Sequence, residues 1–299
     1  MIAQQKQHVI GITCPSGYVS AERVAHAVTV LQSWGYKVVT GKTVGNEHHY
    51  FSGTDEERRA DLQQMLDDPA IDAIIMGRGG YGMSRIIDLI DFTQFAISPK
   101  WICGFSDITV LHNHIHAHYG IPTLHSPMCG HFKPGGELNA DLISLKNALQ
   151  SIPQTYTTAP APLNRAGTAE GELTGGNLSL LVHTIGTDSA VDTTGKILFI
   201  EDLGEHLYHI DRMMLQLKRA GLLKQLAGLL LGGFTDLQDT ERPFGQSVEE
   251  IILDKVREYY YPVCFNFPAG HQEVNFTLTL GVKHSLSVDA KGGTLVNYV

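Results

Sequence analysis

Trp101-Ile102-Cys103-Gly104-Phe105-Ser106-Asp107-Ile108-Thr109-Val110-Leu111 opens as a short apolar run and turns through a Gly-x-Ser-Asp corner. It continues with Ile108, Val110, Leu111 and Ile115 at helical spacing. The run reads as a buried strand and the continuation as a helix. A serine at such a corner is held with its hydroxyl out of the sheet. The N–H of the next residue, Asp107, stands at a helix N-terminus, where it can stabilise an oxyanion. This is the pattern of a nucleophile elbow, although Ile108 stands where a second glycine is usual. The same residues also read as a helix N-cap, with Ser106 or Asp107 accepting the first-turn N–H groups.

Working outward, strands and helices alternate. His8 to Thr13, Lys37 to Thr40 and Asp72 to Met76 read as strands. Ala21 to Trp34 is a helix stopped by Gly35, and Thr54 to Leu66 a charged helix stopped at Asp68-Pro69. A further helix is expected from about Ser84 to Ile90, before the strand that leads to Ser106. This alternation predicts an α/β fold with a mainly parallel sheet, whose functional edge lies at the carboxyl ends of the strands. Ser106 and the Gly77 to Gly82 loop both fall on that edge.

From Leu145 to Ala166 the composition shifts to Pro153, Thr155, Thr157, Thr158, Pro160 and Pro162, an extended connector. The expected organisation is therefore an N-terminal α/β domain over 1–150, a linker over 151–168 and a smaller, β-rich mixed domain over 169–299. In the last, strands are expected at Ala169 to Leu173, Lys196 to Glu201, Leu229 to Phe234, His284 to Val288 and Gly293 to Tyr298. Helices are expected at Asn177 to Ile185 and from about Asp211 to Ala220.

The chain has 299 residues, 43% of them hydrophobic, and a net charge of −9 without any run of Lys or Arg. Nucleic acid and anionic membrane surfaces are poor partners for such a chain. Met1 to Gln7 lacks the apolar core of a signal peptide, and the apolar run near Leu226 to Leu231 is too short to span a bilayer. Cys14, Cys103, Cys129 and Cys264 are scattered, as expected of reduced, packed thiols in a cytoplasmic protein.

Several constellations carry chemistry. Gly77-Arg78-Gly79-Gly80-Tyr81-Gly82 formally matches the dinucleotide fingerprint Gly-x-Gly-x-x-Gly. It sits on the third strand rather than the first, and no isolated acid ends the next strand. The loop reads equally as a tight turn, or as a neighbour of Ser106 whose Gly80 N–H is the second oxyanion donor. Arg78 is then placed to meet a substrate carboxylate in a bidentate manner. His112, His114, His116 and His118 form i, i+4 pairs with metal-ligand spacing, but no third ligand is evident and no metal is assigned. Glu201 ends an apolar strand, where a carboxylate needs a partner, and Arg212 is one. His271 follows a Pro268-Ala269-Gly270 turn. Taken together, Ser106 needs a base, His271 can be that base, and Glu201 can hold its tautomer. Such a site would lie between the two domains.

The ordered set Cys14-Pro15-Ser16-Gly17, Arg78-Gly79-Gly80-Tyr81-Gly82, Gly104-Phe105-Ser106-Asp107, Gly175-Gly176-Asn177-Leu178, Glu201-Asp202 and Gly270-His271 resembles the LD-carboxypeptidases. That serine peptidase family also contains the microcin C7 immunity peptidase. The resemblance covers nearly the whole chain. It implies a flavodoxin-like N-terminal domain with a β-rich C-terminal domain, usually a homodimer, and a triad of Ser106, Glu201 and His271. It further implies cytoplasmic release of the terminal D-alanine from murein tetrapeptides in peptidoglycan recycling, through an acyl-enzyme and without a cofactor. Two other functions compete: a microcin-immunity-type peptidase cleaving peptidyl aminoacyl-nucleotides, and a non-enzymatic nucleotide- or sugar-binding protein. The first would need an aromatic platform for the base, and Trp34 and Trp101 both read as packing residues.

Overall fold

A computed structural model describes residues 7–136 and 138–298. The chain begins with β1 (Val9–Thr13), α1 (Ala21–Ser33), β2 (Lys37–Thr40), α2 (Asp55–Asp67) and β3 (Ala73–Met76). Ser20 caps α1 by accepting the Arg23 N–H, and Thr54 and Glu57 form a reciprocal capping box on α2. The helix expected over Ser84 to Ile90 is instead two 3-10 turns, Met83–Arg85 and Ile87–Leu89. Neither has a capping side chain, and Ile86, at φ −122°, leaves the helical region between them.

α3 (Thr93–Ile97) precedes β4 (Trp101–Gly104), a 3-10 turn at Ser106–Ile108, and α4 (Thr109–Tyr119). Gly120 ends α4 in the left-handed conformation. Then come β5 (Thr123–His125) and α5 (Ala140–Leu149), so Leu145 to Leu149 belongs to a helix rather than to the connector. The later chain holds β6 (Thr155–Thr157), β7 (Gly167–Asn177), α6 (Leu178–His183), β8 (Ile197–Leu203), α7 (Leu207–Arg219) and β9 (Gly228–Thr235). It closes with α8 (Val248–Val256), β10 (Val263–Cys264), β11 (Leu278–Leu280), β12 (Lys283–Asp289) and β13 (Gly292–Asn297).

Two sheets result. The first has the order β11-β5-β4-β3-β1-β2, parallel except for β11. Its parallel part, 2-1-3-4-5, is the flavodoxin-like order, and its ligand crevice is expected at the carboxyl ends. The second has the order β10-β9-β8-β7-β12-β13-β6. It is parallel from β10 to β7 and antiparallel beyond, so it is mixed, as expected. Helices cover the apolar faces, with Leu62, Ile74, Ile102 and Ile115 in one core and Leu198, Ile210, Leu229 and Ile252 in another. β11, late in the chain, completes the edge of the first sheet.

The two sheets meet where β7 ends against the start of α4. The Asn177 N–H donates to Thr109 Oγ1 at 3.0 Å. Gly176 makes this approach possible. Its φ is +140°, and a Cβ there would lie 2.5 Å from Thr109 Oγ1. Gly176→Ala is therefore expected to destabilise the protein by about 2 kcal/mol or more in chemical denaturation, through strain plus overpacking. Gly186, at φ +84° with open space around it, serves as the control. Gly186→Ala should cost only the backbone penalty of about 1 kcal/mol. Equal losses at the two sites would refute the close-approach argument.

Candidate active site

Ser106 stands at the carboxyl end of β4 with φ +63°, a conformation L side chains rarely adopt. The corner that imposes it is tied down from behind. The Gly104 carbonyl accepts from the Ser126 N–H at 3.1 Å and from His112 Nε2 at 2.9 Å. Burial pushes the His112 pKa down to about 4, so the ring is neutral and donates through Nε2. Ser106 is half-buried, and its hydroxyl has no hydrogen-bond partner among the described residues. The hydroxyl is thus free for chemistry rather than engaged as a cap.

Asp107 does two things at this corner. Its N–H opens the 3-10 turn and is taken by no acceptor among the described residues. Its carboxylate is fully buried, and Oδ2 accepts from Ser16 Oγ at 2.5 Å and from the Met83 N–H at 2.8 Å. Burial raises the Asp107 pKa, and the donors and the Arg58 charge act against that rise. The loop after β1, the loop after β3 and the Ser106 corner are thereby joined at one carboxylate.

Gly79, rather than Gly80, lies directly against Ser106: a Cβ on it would be 3.0 Å from Ser106 Cβ and 3.2 Å from Oγ. The Gly79 carbonyl accepts from the Gly17 N–H at 3.0 Å. The peptide is trans, so the Gly80 N–H points away from Gly17, and no acceptor takes it among the described residues. Arg78 is exposed and donates from Nη1 to the Tyr18 carbonyl at 2.7 Å.

Glu201 comes from β8 of the second sheet and His271 from the loop between β10 and β11. Glu201 lies on β8 beside a register irregularity between Ile200 and Asp202, a bulge of the kind that re-aims a side chain. It is fully buried. Its Oε2 accepts from His271 Nδ1 at 2.6 Å and from the His271 N–H at 3.0 Å. His271 is therefore held with Nδ1 protonated and Nε2 available as a base. Arg212, the alternative partner for Glu201, instead lies over the Tyr208 ring at 5.7 Å. The imidazole packs on Phe105, the residue before Ser106, with ring centroids 4.7 Å apart. Asn275 fixes the preceding turn by accepting the Gly270 N–H at 2.7 Å.

The other sequence candidates have different places. His114 Nδ1 bonds Ser189 Oγ and His116 Nε2 bonds Thr123 Oγ1, so the histidine series is dispersed into packing contacts. No group of three or more metal-ligating side chains occurs among the described residues. The glycine loop runs into a 3-10 turn, so no helix N-terminus stands at its end to receive a pyrophosphate. Trp34 and Trp101 line a cleft with Val9 and Ala73, at the amino ends of β1, β3 and β4, the edge opposite Ser106. All four cysteines are buried and free.

Sequence reasoning did not assign roles to Phe105, Asn275 or Ser16, and gave the Asp107 side chain only a candidate helix-capping role, whereas it accepts from Ser16 and Met83. Ser16 and Asp107 were visible as members of short ordered motifs. Nothing in the sequence signals that Asn275 would reach Gly270.

Comparison with known proteins shows the family. Residues 10–126 match the LD-carboxypeptidase N-terminal domain and residues 170–286 the LD-carboxypeptidase C-terminal domain. The chain is 36% identical over 297 residues to the probable murein peptide carboxypeptidase of Bacillus subtilis, covering 97% of this chain and 92% of that one. It is 27% identical to the microcin C7 self-immunity protein MccF of Escherichia coli, covering 93% and 89%. Among solved structures, the muramoyltetrapeptide carboxypeptidase of Oxalobacter formigenes superposes with a TM-score of 0.87 at 32% identity, covering 97% of this chain and 99% of that one. With both halves matched in order and about a third of the residues shared along almost the entire length, the chain belongs to the LD-carboxypeptidase family of serine-type peptidases.

Proposed function

We propose that this carboxypeptidase releases the terminal D-alanine from murein tetrapeptides, with Ser106 as nucleophile, His271 as general base and acid, and Glu201 as its orienting carboxylate. The observation that carries the reading is the His271–Glu201 contact of 2.6 Å, packed against the residue that precedes a strained, unpartnered serine. Ser106 Oγ attacks the carbonyl carbon of the last peptide bond while His271 Nε2 takes its proton. The N–H groups of Asp107 and Gly80 stabilise the oxyanion. Collapse breaks the C–N bond, and His271 returns the proton to the leaving amine of D-alanine. Water then attacks the acyl ester, again with His271 as base. The tripeptide leaves as its carboxylate and Ser106 is regenerated. One water is consumed, and neither metal nor cofactor takes part in these steps. Arg78 is assigned to the substrate's terminal carboxylate.

The reading extends to setting and assembly. The enzyme acts in the cytoplasm on a small peptide, as a homodimer, with neither nucleic acid nor membrane as partner. The acidic composition supports this, as does the family resemblance. Among the described residues no helix is long and apolar enough to cross a membrane. We also propose the division into domains over 1–150 and 169–299 with a linker over 151–168. Two separate sheets support it; β6, within the linker, joins the second sheet, and β11 of the second domain joins the first.

Mass spectrometry of a murein tetrapeptide incubated with enzyme and a strong chelator should show loss of one alanine. Ser106→Ala or His271→Ala should reduce the rate by ~10⁴-fold or more. An intact tetrapeptide after incubation with folded wild type would overturn the reading and direct the assay to aminoacyl-nucleotide amides. Asp107→Ala leaves the Ser16 hydroxyl and the Met83 N–H without their acceptor. It is expected to cost about 1–3 kcal/mol of stability in denaturation and to lower kcat more than it raises KM. Light scattering should report twice the chain mass; a monomer would refute the homodimer.

A further inference from the structure

A carboxypeptidase must bind a carboxylate one residue beyond the bond it cuts. One residue spans at most ~3.6 Å, so the binding group has to stand close to the oxyanion donors. Two polar side chains do. The Tyr50 hydroxyl lies over Gly80, only 2.6 Å from where a Cβ on that glycine would be. Arg78 immediately precedes Gly79, the residue in contact with Ser106. Gly17 forms the floor between them: its Cβ position is 3.7 Å from Arg78 Nε, and its Cα is 3.7 Å from the Cβ position of Gly80.

Both groups are available. Tyr50 is half exposed, and its hydroxyl has no hydrogen-bond partner among the described residues. Arg58, Arg59 and Arg85 pair with Asp55 or Glu56, whereas Arg78 has no acidic partner among the described residues. Its one bond, from Nη1 to the Tyr18 carbonyl, orients the guanidinium and leaves its charge uncompensated. The loop that carries Tyr50 is itself rigidly held. The Tyr50 carbonyl accepts from the Tyr18 N–H, Ser52 Oγ donates to the Gly17 carbonyl, and Phe51 lies under the Arg58 guanidinium at 4.7 Å. A phenol without a hydrogen-bond partner and a guanidinium without an acidic partner, both among the described residues, flank Gly79 and Gly80, the first of which touches Ser106.

We propose that the Tyr50 hydroxyl and the Arg78 guanidinium are the two arms of a clamp for the substrate's terminal carboxylate. The clamp makes Tyr50 a specificity-determining residue for free-acid over capped peptides. This inference rests on the carboxypeptidase reading above. It adds a residue from the loop after β2 that the sequence motifs do not mark.

The test compares kcat/KM for a murein tetrapeptide ending in D-alanine with that for the same peptide ending in D-alaninamide. Wild type should prefer the acid. A hydrogen bond to a charged group corresponds to about a tenfold preference or more. Tyr50→Phe removes only the hydroxyl and should lower the acid-to-amide ratio about tenfold, mainly through KM for the acid. Arg78→Ala should lower it further, and Arg78→Lys should restore part of it because the charge returns without the bidentate fork. An unchanged ratio in an active, folded Tyr50→Phe variant overturns the clamp alone. A wild type that releases neither D-alanine from the acid nor D-alaninamide from the amide overturns the carboxypeptidase reading and the clamp with it.

Discussion

A serine is held at φ +63° between the end of β4 and the start of α4, and the site is built around keeping it there. Such a backbone costs about 1–3 kcal/mol and survives only where its surroundings over-determine it. Here they do so from three sides. His112 and the Ser126 N–H pin the Gly104 carbonyl behind the corner, Gly79 lies against the serine itself, and Ser16 and the Met83 N–H hold the Asp107 carboxylate beyond it. The cost of strain is met by interactions that also fix the residues around the corner. The N–H of Asp107 is taken by no acceptor among the described residues, while its side chain braces the loop that follows Gly80.

Glu201 on β8 of the other sheet and His271 in the loop after β10 form a pair, so the proposed site depends on how the two sheets pack. Asn177 links them. Its N–H reaches Thr109 on the nucleophile's helix, and its Nδ2 donates to Asp202 Oδ1 at 2.9 Å, next to Glu201. Burial pushes the Asp202 pKa up to about 6, and the N–H groups of Leu203 and Ser179 together with the Asn177 amide act against this. Asp107, Glu201 and Asp202 are three buried carboxylates in an acidic chain. Asp202 accepts at both oxygens, whereas Asp107 and Glu201 accept through Oδ2 and Oε2 only and keep Oδ1 and Oε1 buried without a partner among the described residues.

Much of the fold was legible where local pattern and tertiary role coincide. The apolar strands ending at Met76 and Gly104 and the capped helices at Ser20 and Thr54 follow from side-chain spacing and capping chemistry. The Ser84 to Ile90 segment was misread because isoleucines at 86, 87 and 90 imitate helical spacing, while Gly82 and Ile86 take backbone conformations outside it. β11 has three residues, too few to establish a period, and is a strand only because β5 offers it an edge. α5 was not read from the sequence, and its second half was counted with the proline-rich connector that follows.

The sequence by itself determined the α/β class and the strand-to-helix corner at Ser106, and its ordered motifs singled out Ser106, Glu201 and His271 for the proposed triad. These are local matters: a turn after a strand, a carboxylate at a strand end, a histidine after a glycine. Tertiary structure alone decided what those residues face. Glu201 is 70 positions from the His271 it orients, and Asp107 is 91 from the Ser16 it binds. Gly79 rather than Gly80 backs the serine, and Tyr50 stands over Gly80. Contacts of that separation form because the packing of two sheets closes long loops. No periodicity in one chain encodes which loop tips will meet.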